Sequence, residues 1–282
     1  MKTLQITPSI SQLRRQLTPW RDEGAHIALV ATMGALHQGH LSLVGQANSM
    51  AQRVVVSIFV NPTQFAPHED FTAYPRTLKM DCDKLANTGA VDLVFAPPPE
   101  EMYPSGFATG LTVGGPALGL ETDFRPHFFG GVATVVAKLL IAAMPHIAIF
   151  GEKDYQQLLV VRQMARDLAL PTEIIGAPIV REPDGLALSS RNVYLSTSER
   201  KIAGNLNKIL AESCQKVRAG EPISEIEKQS AIALRAAGFD SIDYVAVRDA
   251  QTLVPIERLE RPARILAAAR VGKTRLIDNM PI

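Results

Sequence analysis

The sequence has few of the features that mark secreted, metal-bound or nucleic-acid-binding proteins. Its two cysteines, Cys82 and Cys214, lie far apart and form no metal-binding or redox pair. Reduced thiols of this kind are typical of a cytoplasmic protein. The formal net charge is +1, whereas a nucleic-acid-binding surface requires a strongly basic face. We therefore expect no nucleic-acid partner.

The sequence also has no apolar run long enough to predict a membrane span. Its most apolar region, residues 132–150, is interrupted by Lys138, Pro145 and His146. Residues 1–20 carry polar side chains where a secretory signal has an apolar core. We therefore expect a protein without a membrane partner, located in the cytoplasm.

The composition that remains is that of an ordinary globular protein. Hydrophobic residues make up 46% and charged residues 20% of the 282 positions, which is enough apolar material for a full core. A chain of this length is typical of about two domains or one large domain.

Short apolar runs alternate with amphipathic segments over the first 180 residues. This alternation predicts an α/β doubly wound, Rossmann-like parallel sheet. Strands are predicted at residues 27–31, 54–60, 91–96, 147–150 and 173–180. Helices are predicted at residues 11–23, 41–53, 77–88, 131–144 and 156–168.

The pattern changes after residue 180. Two helices are predicted, the first from a capping box at Ser196 and Glu199 to residue 218, the second at residues 224–238. Strand-like runs follow at residues 243–247, 265–270 and 274–277. We therefore divide the chain into a nucleotide-binding domain, residues 1–180, and a smaller α+β lid domain, residues 181–282.

The stretch after the first predicted strand has the character of a phosphate-binding turn. It consists of Met33-Gly34-Ala35-Leu36-His37-Gln38-Gly39-His40, and an amphipathic segment follows. A tight turn between a strand and a helix presents backbone N–H groups and a helix N-terminus to an anion. A helical continuation would place His37 and His40 on one face. Imidazole suits a phosphate chain because it donates a hydrogen bond or carries charge near neutral pH.

Two other interpretations of this histidine pair are open. A lone pair with this spacing is often incidental. A helical zinc site typically spaces its histidines i, i+4 with a glutamate between them. Here the spacing is i, i+3, and no cysteine or carboxylate lies close by in the sequence. The position between strand and helix favours phosphate binding, and we expect no protein-bound metal.

Three further loops carry polar groups suited to a charged substrate. They are Asn61-Pro62-Thr63-Gln64-Phe65, Gly151-Glu152-Lys153-Asp154 and Leu188-Ser189-Ser190-Arg191. Gln64 both donates and accepts hydrogen bonds, and Lys153 is a flexible point charge beside Asp154. For each loop considered alone, an ordinary surface loop is the alternative interpretation. Doubly wound sheets, however, bind ligands at the carboxyl ends of their strands, so we expect one shared site.

Seven strings along the chain together resemble the pantoate–β-alanine ligase family, within the H-x-G-H nucleotidyltransferases related to class I aminoacyl-tRNA synthetases. The strings extend over nearly the whole chain. They are T-M-G-A-L-H-x-G-H, V-S-I-F-V-N-P-x-Q-F, Y-P-R-T, R-P-x-x-F-x-G-V-x-T-V-V-x-K-L, G-E-K-D-Y-Q-Q, D-G-L-A-L-S-S-R-N and R-L-I-D-N.

The resemblance implies an ATP-dependent acid–amine ligase. The pantoate carboxylate would attack the α-phosphate of ATP, release pyrophosphate and form pantoyl adenylate. The amine of β-alanine would then displace AMP and give pantothenate. Mg²⁺ would accompany the ATP phosphates, and a homodimer is the state common in the family.

The resemblance also assigns site residues by matching motif. His37 and His40 would hold the ATP phosphates, with His40 as the catalytic acid. Gln64 and Gln157 would hold pantoate, and Gln64 would also lie beside β-alanine. The catalytic set would be completed by Lys153, Ser189, Ser190 and Arg191. The ATP site would consist of Met33, Gly34, Ala35, Leu36, His37, Gln38, Gly39, His40, Gly151, Glu152, Lys153, Asp154, Val180, Leu188, Ser189, Ser190 and Arg191.

The chain departs from the family pattern at four places. Ala31 stands where the family usually has proline, and Thr63 where it has methionine. Phe128 occupies the usual position of a histidine, with His127 one place earlier, and residues 120–123 replace a glycine-containing turn. These departures concern the substrate-side wall.

Two rival functions differ from the ligase in class or product. An adenylyltransferase of the same superfamily would leave the adenylyl group on its product. A non-catalytic nucleotide-binding module would not need the full set of phosphate-directed groups that the histidine, lysine and serine–arginine motifs supply.

Overall fold

The computed structural model describes residues 4–65, 71–72 and 74–282. In this part of the chain, a six-stranded parallel sheet is flanked by helices, and a smaller antiparallel sheet has three strands. The predicted α/β class with a smaller α+β unit is confirmed. Among the described residues, no helix combines the length and apolar character of a membrane span.

The parallel sheet has its switch point between two central strands. Its strands are β1 (Gln5–Thr7), β2 (Ile27–Thr32), β3 (Arg53–Ile58), β4 (Leu93–Phe95), β5 (Ile147–Gly151) and β6 (Glu173–Ala177). Their order across the sheet is β1-β4-β3-β2-β5-β6. The chain therefore moves outward from β2 through β3 and β4 and then returns to the other side of β2 with β5. Ligands of doubly wound sheets bind where the strand order reverses in this way.

Helices cover both faces of this sheet, and an apolar core lies on each side. They are α1 (Ile10–Asp22), α2 (Gln38–Met50), α3 (Leu78–Thr88), α4 (Pro99–Met102), α5 (Glu121–Phe124), α6 (Phe128–Ala143) and α7 (Tyr155–Asp167). Most positions of α6 are buried, as its almost uniformly apolar sequence predicts.

The C-terminal part has a separate core between helices and the antiparallel sheet. Its helices are α8 (Thr197–Ala203), α9 (Asn205–Arg218) and α10 (Ile223–Ala236). Its strands are β7 (Ser241–Asp249), β8 (Ala263–Val271) and β9 (Thr274–Pro281), in the order β7-β8-β9. The first residue of this core along the chain is Leu186.

Several predicted element bounds are wrong. The three-residue strand β1 is missing from the predicted strands because it is too short to show periodicity. Helix α2 begins at Gln38 rather than residue 41, because His37 caps it. Residue 53 belongs to β3 rather than to the preceding helix, and β6 ends at Ala177 rather than residue 180.

The helix predicted for residues 196–218 is two helices that meet at Gly204. Glycine is a poor helix former, and a break there costs little. The predicted capping box is confirmed: Ser196 Oγ accepts from the N–H of Glu199 at 3.3 Å, and Glu199 Oε2 accepts from the N–H of Ser196 at 2.7 Å.

Candidate active site

A cleft of about 1170 Å³ lies at the carboxyl ends of β2 and β5, with β8 and β9 of the C-terminal sheet on its other side. The structure brings all four predicted loops to this cleft. The predicted site residues that line it are Met33, His37, Gly39, His40, Gln64, Gly151, Lys153, Asp154, Gln157, Val180, Leu188, Ser189, Ser190 and Arg191.

The other predicted residues are placed behind this lining. Leu36 is buried in the core beneath the turn. The Glu152 carboxylate forms an ion pair with Arg264 at 3.0 Å. Gly34, Ala35 and Gln38 shape the backbone around the histidines without forming the cleft wall.

The two histidines cap the helix that they begin. His37 is the N-cap of α2, and its Nδ1 accepts from the N–H of Gly39 at 3.1 Å. The Nδ1 of His40 accepts from the N–H of His37 at 3.3 Å, and the ring centroids are 4.0 Å apart. A neutral imidazole whose Nδ1 accepts carries its proton on Nε2. Each ring therefore keeps an Nε2–H donor for a ligand in the cleft.

Both histidines are neutral at pH 7. Burial, together with the nearby His37, Lys153 and Lys84, lowers the pKa of His40 to about 3. Burial likewise lowers the pKa of His37 to about 4, with contributions from the positive charges of Lys153 and Lys84. The rings are therefore hydrogen-bond donors rather than cations here. An anion between them would favour the protonated form.

The turn that precedes the histidines is held from behind by Asp81, a fully buried residue of α3. Its carboxylate accepts from the N–H groups of Ala35 at 2.9 Å and Leu36 at 2.8 Å, and from Thr77 Oγ1 at 2.9 Å. Gly34 and Ala35 have φ angles of 81° and 51°, and a Cβ on Gly34 would lie 3.1 Å from Asp81 Oδ2. The shape of the turn thus depends on this carboxylate.

Sequence analysis does not identify Asp81. The available signal is an acidic residue in the first turn of α3, four residues after the threonine of Y-P-R-T. The two turn N–H groups that it accepts from, those of Ala35 and Leu36, lie more than forty positions earlier in the chain. Local patterns carry no information about contacts of that range.

The loop after β3 is also supported from behind. Asn61 is 1% exposed, and its Nδ2 donates to Gln64 Oε1 at 3.1 Å and to the carbonyl of Gly131 at 3.2 Å. Gln64 Nε2 lies 2.9 Å from Met33 Sδ. A Cβ on Gly131 would lie 2.3 Å from the carbonyl oxygen of Thr63, so only glycine fits there. Helix α6 and the loop therefore orient the Gln64 amide together.

The departures from the family pattern form part of the neighbouring wall. Phe128 lines the cleft, and the Arg125 guanidinium lies 3.9 Å from its ring centroid. His127 is exposed at the start of α6. Glu121, within the departing turn, is buried and accepts from Tyr244 of the C-terminal sheet at 2.9 Å. This wall is therefore aromatic and cationic beside a buried carboxylate.

The loop after β5 is held by the C-terminal sheet. Lys153 Nζ lies 4.0 Å from Asp154 Oδ2, and the lysine side chain is 21% exposed. Asn279 of β9 donates from Nδ2 to the carbonyls of Glu152 at 2.9 Å and Lys153 at 3.0 Å. The R-L-I-D-N string that contains Asn279 has no role in the sequence-based site assignment, and only the structure shows its contact with this loop.

The serine–arginine motif follows a short hairpin. The N–H of Leu188 donates to the carbonyl of Val180 at 2.9 Å. A 3-10 turn then spans Ser190–Tyr194, and the Ser189 hydroxyl caps it by accepting from the N–H of Arg191 at 3.3 Å. This turn places hydroxyl and guanidinium groups on the cleft wall that includes the C-terminal sheet.

Comparison with known proteins agrees with this geometry. The family model described as pantoate-beta-alanine ligase matches residues 5–281 of the chain. The chain belongs to the pantoate–β-alanine ligase family. A pantothenate synthetase of Mesorhizobium japonicum is 55% identical over 282 residues, which cover 100% of this chain and 99% of that protein. A pantothenate synthetase of a Bradyrhizobium species is 56% identical over 283 residues, with the same coverage.

Solved structures of this ligase family have the same fold. A crystal structure of pantothenate synthetase from Thermus thermophilus has a TM-score of 0.91 and 46% identity, covering 98% of this chain and 99% of that one. The pantoate-beta-alanine ligase of Francisella tularensis, complexed with beta-gamma ATP and beta-alanine, has a TM-score of 0.83 and 34% identity. That alignment covers 98% of this chain and 97% of the Francisella protein. Membership of this ligase family favours ligation over the adenylyltransferase and binding-module alternatives.

Proposed function

We propose how this ligase divides its reaction, the ATP-dependent condensation of pantoate with β-alanine to pantothenate, among the residues of the cleft. One observation supports the division most strongly. The neutral His37–His40 pair and Lys153 lie at the ends of adjacent strands β2 and β5, and the amides of Gln64 and Gln157 line the same cleft. Phosphate-directed donors and groups suited to a hydroxy acid thus meet in one space.

The first step joins the pantoate carboxylate to the α-phosphate of ATP. A new bond forms between carboxylate oxygen and phosphorus, the bond to the bridging oxygen breaks, and pyrophosphate leaves with the electron pair. Negative charge therefore grows on the phosphates. The Nε2–H groups of His37 and His40 and the ammonium of Lys153 would stabilise that charge, because they are positioned before the reaction begins.

His40 would donate most strongly late in this step. Its pKa is low because burial penalises the charged form. Charge on an adjacent phosphate oxygen favours the imidazolium and so strengthens the hydrogen bond as pyrophosphate departs. Ser189, Ser190 and Arg191 would hold the nucleotide from the opposite wall, together with backbone groups at the ends of β2 and β5.

The second step transfers the pantoyl group from phosphate to amine. The neutral β-alanine amine attacks the acyl carbon of pantoyl adenylate, AMP leaves with the electron pair of the acyl–oxygen bond, and the nitrogen releases one proton to water. Gln64 and Gln157 would hold the pantoate hydroxyls and carboxylate, and Gln64 would also contact β-alanine. The support that Asn61 gives to the Gln64 amide keeps this side chain in a fixed orientation.

Magnesium would enter with the triphosphate and neutralise part of its charge. Mg²⁺ is usually bound by one or two carboxylates together with substrate phosphates. Asp154 fits that requirement, since it lines the cleft beside Lys153 and its side chain is 45% exposed. Within the described residues, no group of three or more histidine, cysteine or acidic side chains is arranged for a metal ion.

The proposal extends to organisation and location. Residues 1–180 would form the ATP- and pantoate-binding domain and residues 181–282 the lid domain. The chain would act as a homodimer in the cytoplasm, with ATP, pantoate and β-alanine as its small-molecule substrates and with no nucleic-acid or membrane partner. Light scattering coupled to size-exclusion chromatography tests the dimer, and a mass equal to 30.6 kDa would contradict it.

Isotope exchange tests the reaction itself. Formation of an acyl adenylate requires that ATP is cleaved before the amine arrives. With ATP, Mg²⁺ and pantoate but no β-alanine, the enzyme should therefore exchange labelled pyrophosphate into ATP. Addition of β-alanine should release AMP in a one-to-one ratio with the amide.

Each other result has a defined meaning. A stable adenylylated product that ignores amines would favour the adenylyltransferase. Absence of exchange with any acid would favour the binding module. Exchange with another small hydroxy acid but not with pantoate would keep the chemistry and change the substrate.

A further inference from the structure

We propose that Asn279 of β9 is a positioning residue that fixes Lys153 from the other domain. The inference rests on the proposed role of Lys153 at the ATP phosphates. It concerns a buried residue at the cleft wall: Asn279 is 2% exposed, and its Nδ2 donates to the backbone of the loop.

The contact between the side chain and the loop has two parts. Asn279 Nδ2 donates both of its hydrogens, one to the carbonyl of Glu152 at 2.9 Å and one to that of Lys153 at 3.0 Å. These carbonyls belong to the peptide groups on either side of the Lys153 Cα. Fixing both peptide planes fixes the direction in which the lysine side chain leaves the backbone. A lysine side chain is a flexible four-carbon stem, so the orientation of its root determines where the ammonium can reach.

The orientation of the Asn279 amide is itself determined. Arg264 Nη1 donates to Asn279 Oδ1, so Nδ2 must face the loop. Arg264 is 6% exposed, forms an ion pair with Glu152 at 3.0 Å, and lies 3.7 Å from the ring centroid of Tyr155. It therefore contacts residues on both sides of Lys153, and the Asn279–Arg264 pair supports the whole loop.

The strand that carries Asn279 is anchored next to it. Asp278 is 2% exposed and accepts from both terminal nitrogens of Arg181, at 2.7 and 2.9 Å. Asp278 Oδ1 also accepts from the backbone N–H of Asn279 at 2.7 Å. A bidentate Arg–carboxylate pair has a defined geometry, so β9 presents the amide from a fixed position.

A double-mutant cycle tests whether Asn279 acts through Lys153. The variants are Asn279→Ala, Lys153→Ala and the double variant, and the readout is pantoate-dependent pyrophosphate exchange. We expect Asn279→Ala to lower the exchange rate by about 10- to 100-fold, the order of loss caused by misplacing a reacting group by about 1 Å. The double variant should be no slower than Lys153→Ala, because a residue that acts through another adds nothing once its target is absent.

Two further variants separate positioning from general stability. Tyr155→Phe removes the hydrogen bond from the Tyr155 hydroxyl to the carbonyl of Ala250, 2.8 Å long, which joins the same two parts of the molecule. It leaves the carbonyls around Lys153 bonded, so exchange should stay within about threefold of wild type. Asn279→Ser keeps one short donor and should recover part of the activity; it replaces the alanine variant in the cycle if that variant does not fold.

The outcomes distinguish the inference from the proposed function. Losses that multiply in the double variant, or equal losses in Asn279→Ala and Tyr155→Phe, would overturn the positioning role. Unchanged exchange in Lys153→Ala would instead refute the role of Lys153. A loss in Asn279→Ala that disappears on the Lys153→Ala background, in variants that show a cooperative urea unfolding transition, would support the inference.

Discussion

The histidine turn after β2 and the lysine loop after β5 face the same cleft, but their supports come from different parts of the chain. The turn is capped by its own histidines and held by Asp81 of α3, all within the part of the chain that forms the parallel sheet. The lysine loop is held by Asn279 and Arg264 of the C-terminal sheet. The histidine turn is therefore a property of the parallel-sheet part alone, and the lysine loop depends on contact between the two sheets.

This difference predicts which perturbations each part tolerates. Weakening of the contact between the sheets should disorder the lysine loop and leave the histidine turn intact. Loss of the support from α3 should have the opposite effect. Because both parts line one cleft, the proposed reaction requires a correctly folded parallel-sheet part and a correct contact with the C-terminal sheet.

The largest expected effect comes from removing a donor in the histidine turn. His40→Ala should lower turnover roughly 100- to 1000-fold, the usual loss for one positioned donor to a developing negative charge. The measurement is pantoate-dependent pyrophosphate exchange at saturating ATP. His26→Ala is the control, because His26 stacks on His146 with ring centroids 4.3 Å apart, at the opposite ends of the strands. Turnover of His40→Ala within threefold of wild type would remove His40 from the mechanism.

A smaller effect is expected when the support behind the turn is removed. In Asp81→Asn, one carboxylate oxygen becomes an amide NH₂ that faces a backbone N–H of the turn. That N–H loses its acceptor, and an unpaired buried donor costs roughly 1–3 kcal/mol. The free energy of unfolding in urea should fall by that amount, and the KM for ATP should rise about tenfold while the KM for β-alanine stays constant.

The matched control for this variant lies on the same helix. Asp83 forms an ion pair with Lys79 at 3.0 Å, and the two side chains are 63% and 89% exposed. Such exposed pairs contribute roughly 0–1 kcal/mol, so Asp83→Asn should change neither quantity measurably. Equal effects of the two substitutions would mean that Asp81 has no special role in the turn.

The smallest expected effect is on the pH dependence of stability. The pKa of His40 is about 3 in the folded protein and 6.5 in an ordinary environment, so the unfolded chain takes up a proton first as the pH falls. The stability associated with the neutral ring is therefore complete above about pH 6.5 and is lost as the pH falls toward 3.

Urea unfolding at pH 7 and pH 5 measures this contribution. From pH 7 to pH 5, the free energy of unfolding of wild type should fall by roughly 1–2 kcal/mol more than that of His40→Ala. The same comparison for Lys153→Ala should give a loss between those of wild type and His40→Ala, because the Lys153 ammonium contributes to lowering the pKa of both histidines. If the free energy of unfolding had the same pH dependence in wild type and in His40→Ala, the result would contradict a buried and neutral His40.

The features that could be predicted from the sequence are those determined by neighbouring residues. The strand, turn and helix around His37 are encoded within some twenty positions, by an apolar run, two glycines and an amphipathic segment. The helix begins three residues earlier than expected, because an imidazole at His37 acts as the cap in place of the usual serine or aspartate. The resemblance carried by the seven family strings identified ATP, pantoate and β-alanine as the expected substrates, which no local pattern indicates.

The features that could not be predicted depend on contacts between distant positions. The strand order is determined by packing of the whole sheet, and the three-residue strand β1 pairs with β4, which lies more than eighty positions later. Asp81 and Asn279 contact the site through backbone groups, so the residue types of their partners carry no signal. A family string can contain such a residue without indicating what it does.

Gly131 illustrates a related consequence for experiments that score every substitution at every position. It has no functional side chain, yet a Cβ there would lie 2.3 Å from the carbonyl oxygen of Thr63, and its own carbonyl accepts from Asn61. Every replacement must therefore displace the loop that carries Gln64. In a saturation scan selected for growth without added vitamin, Gly131 should rank with the histidines in intolerance, although it never touches a substrate.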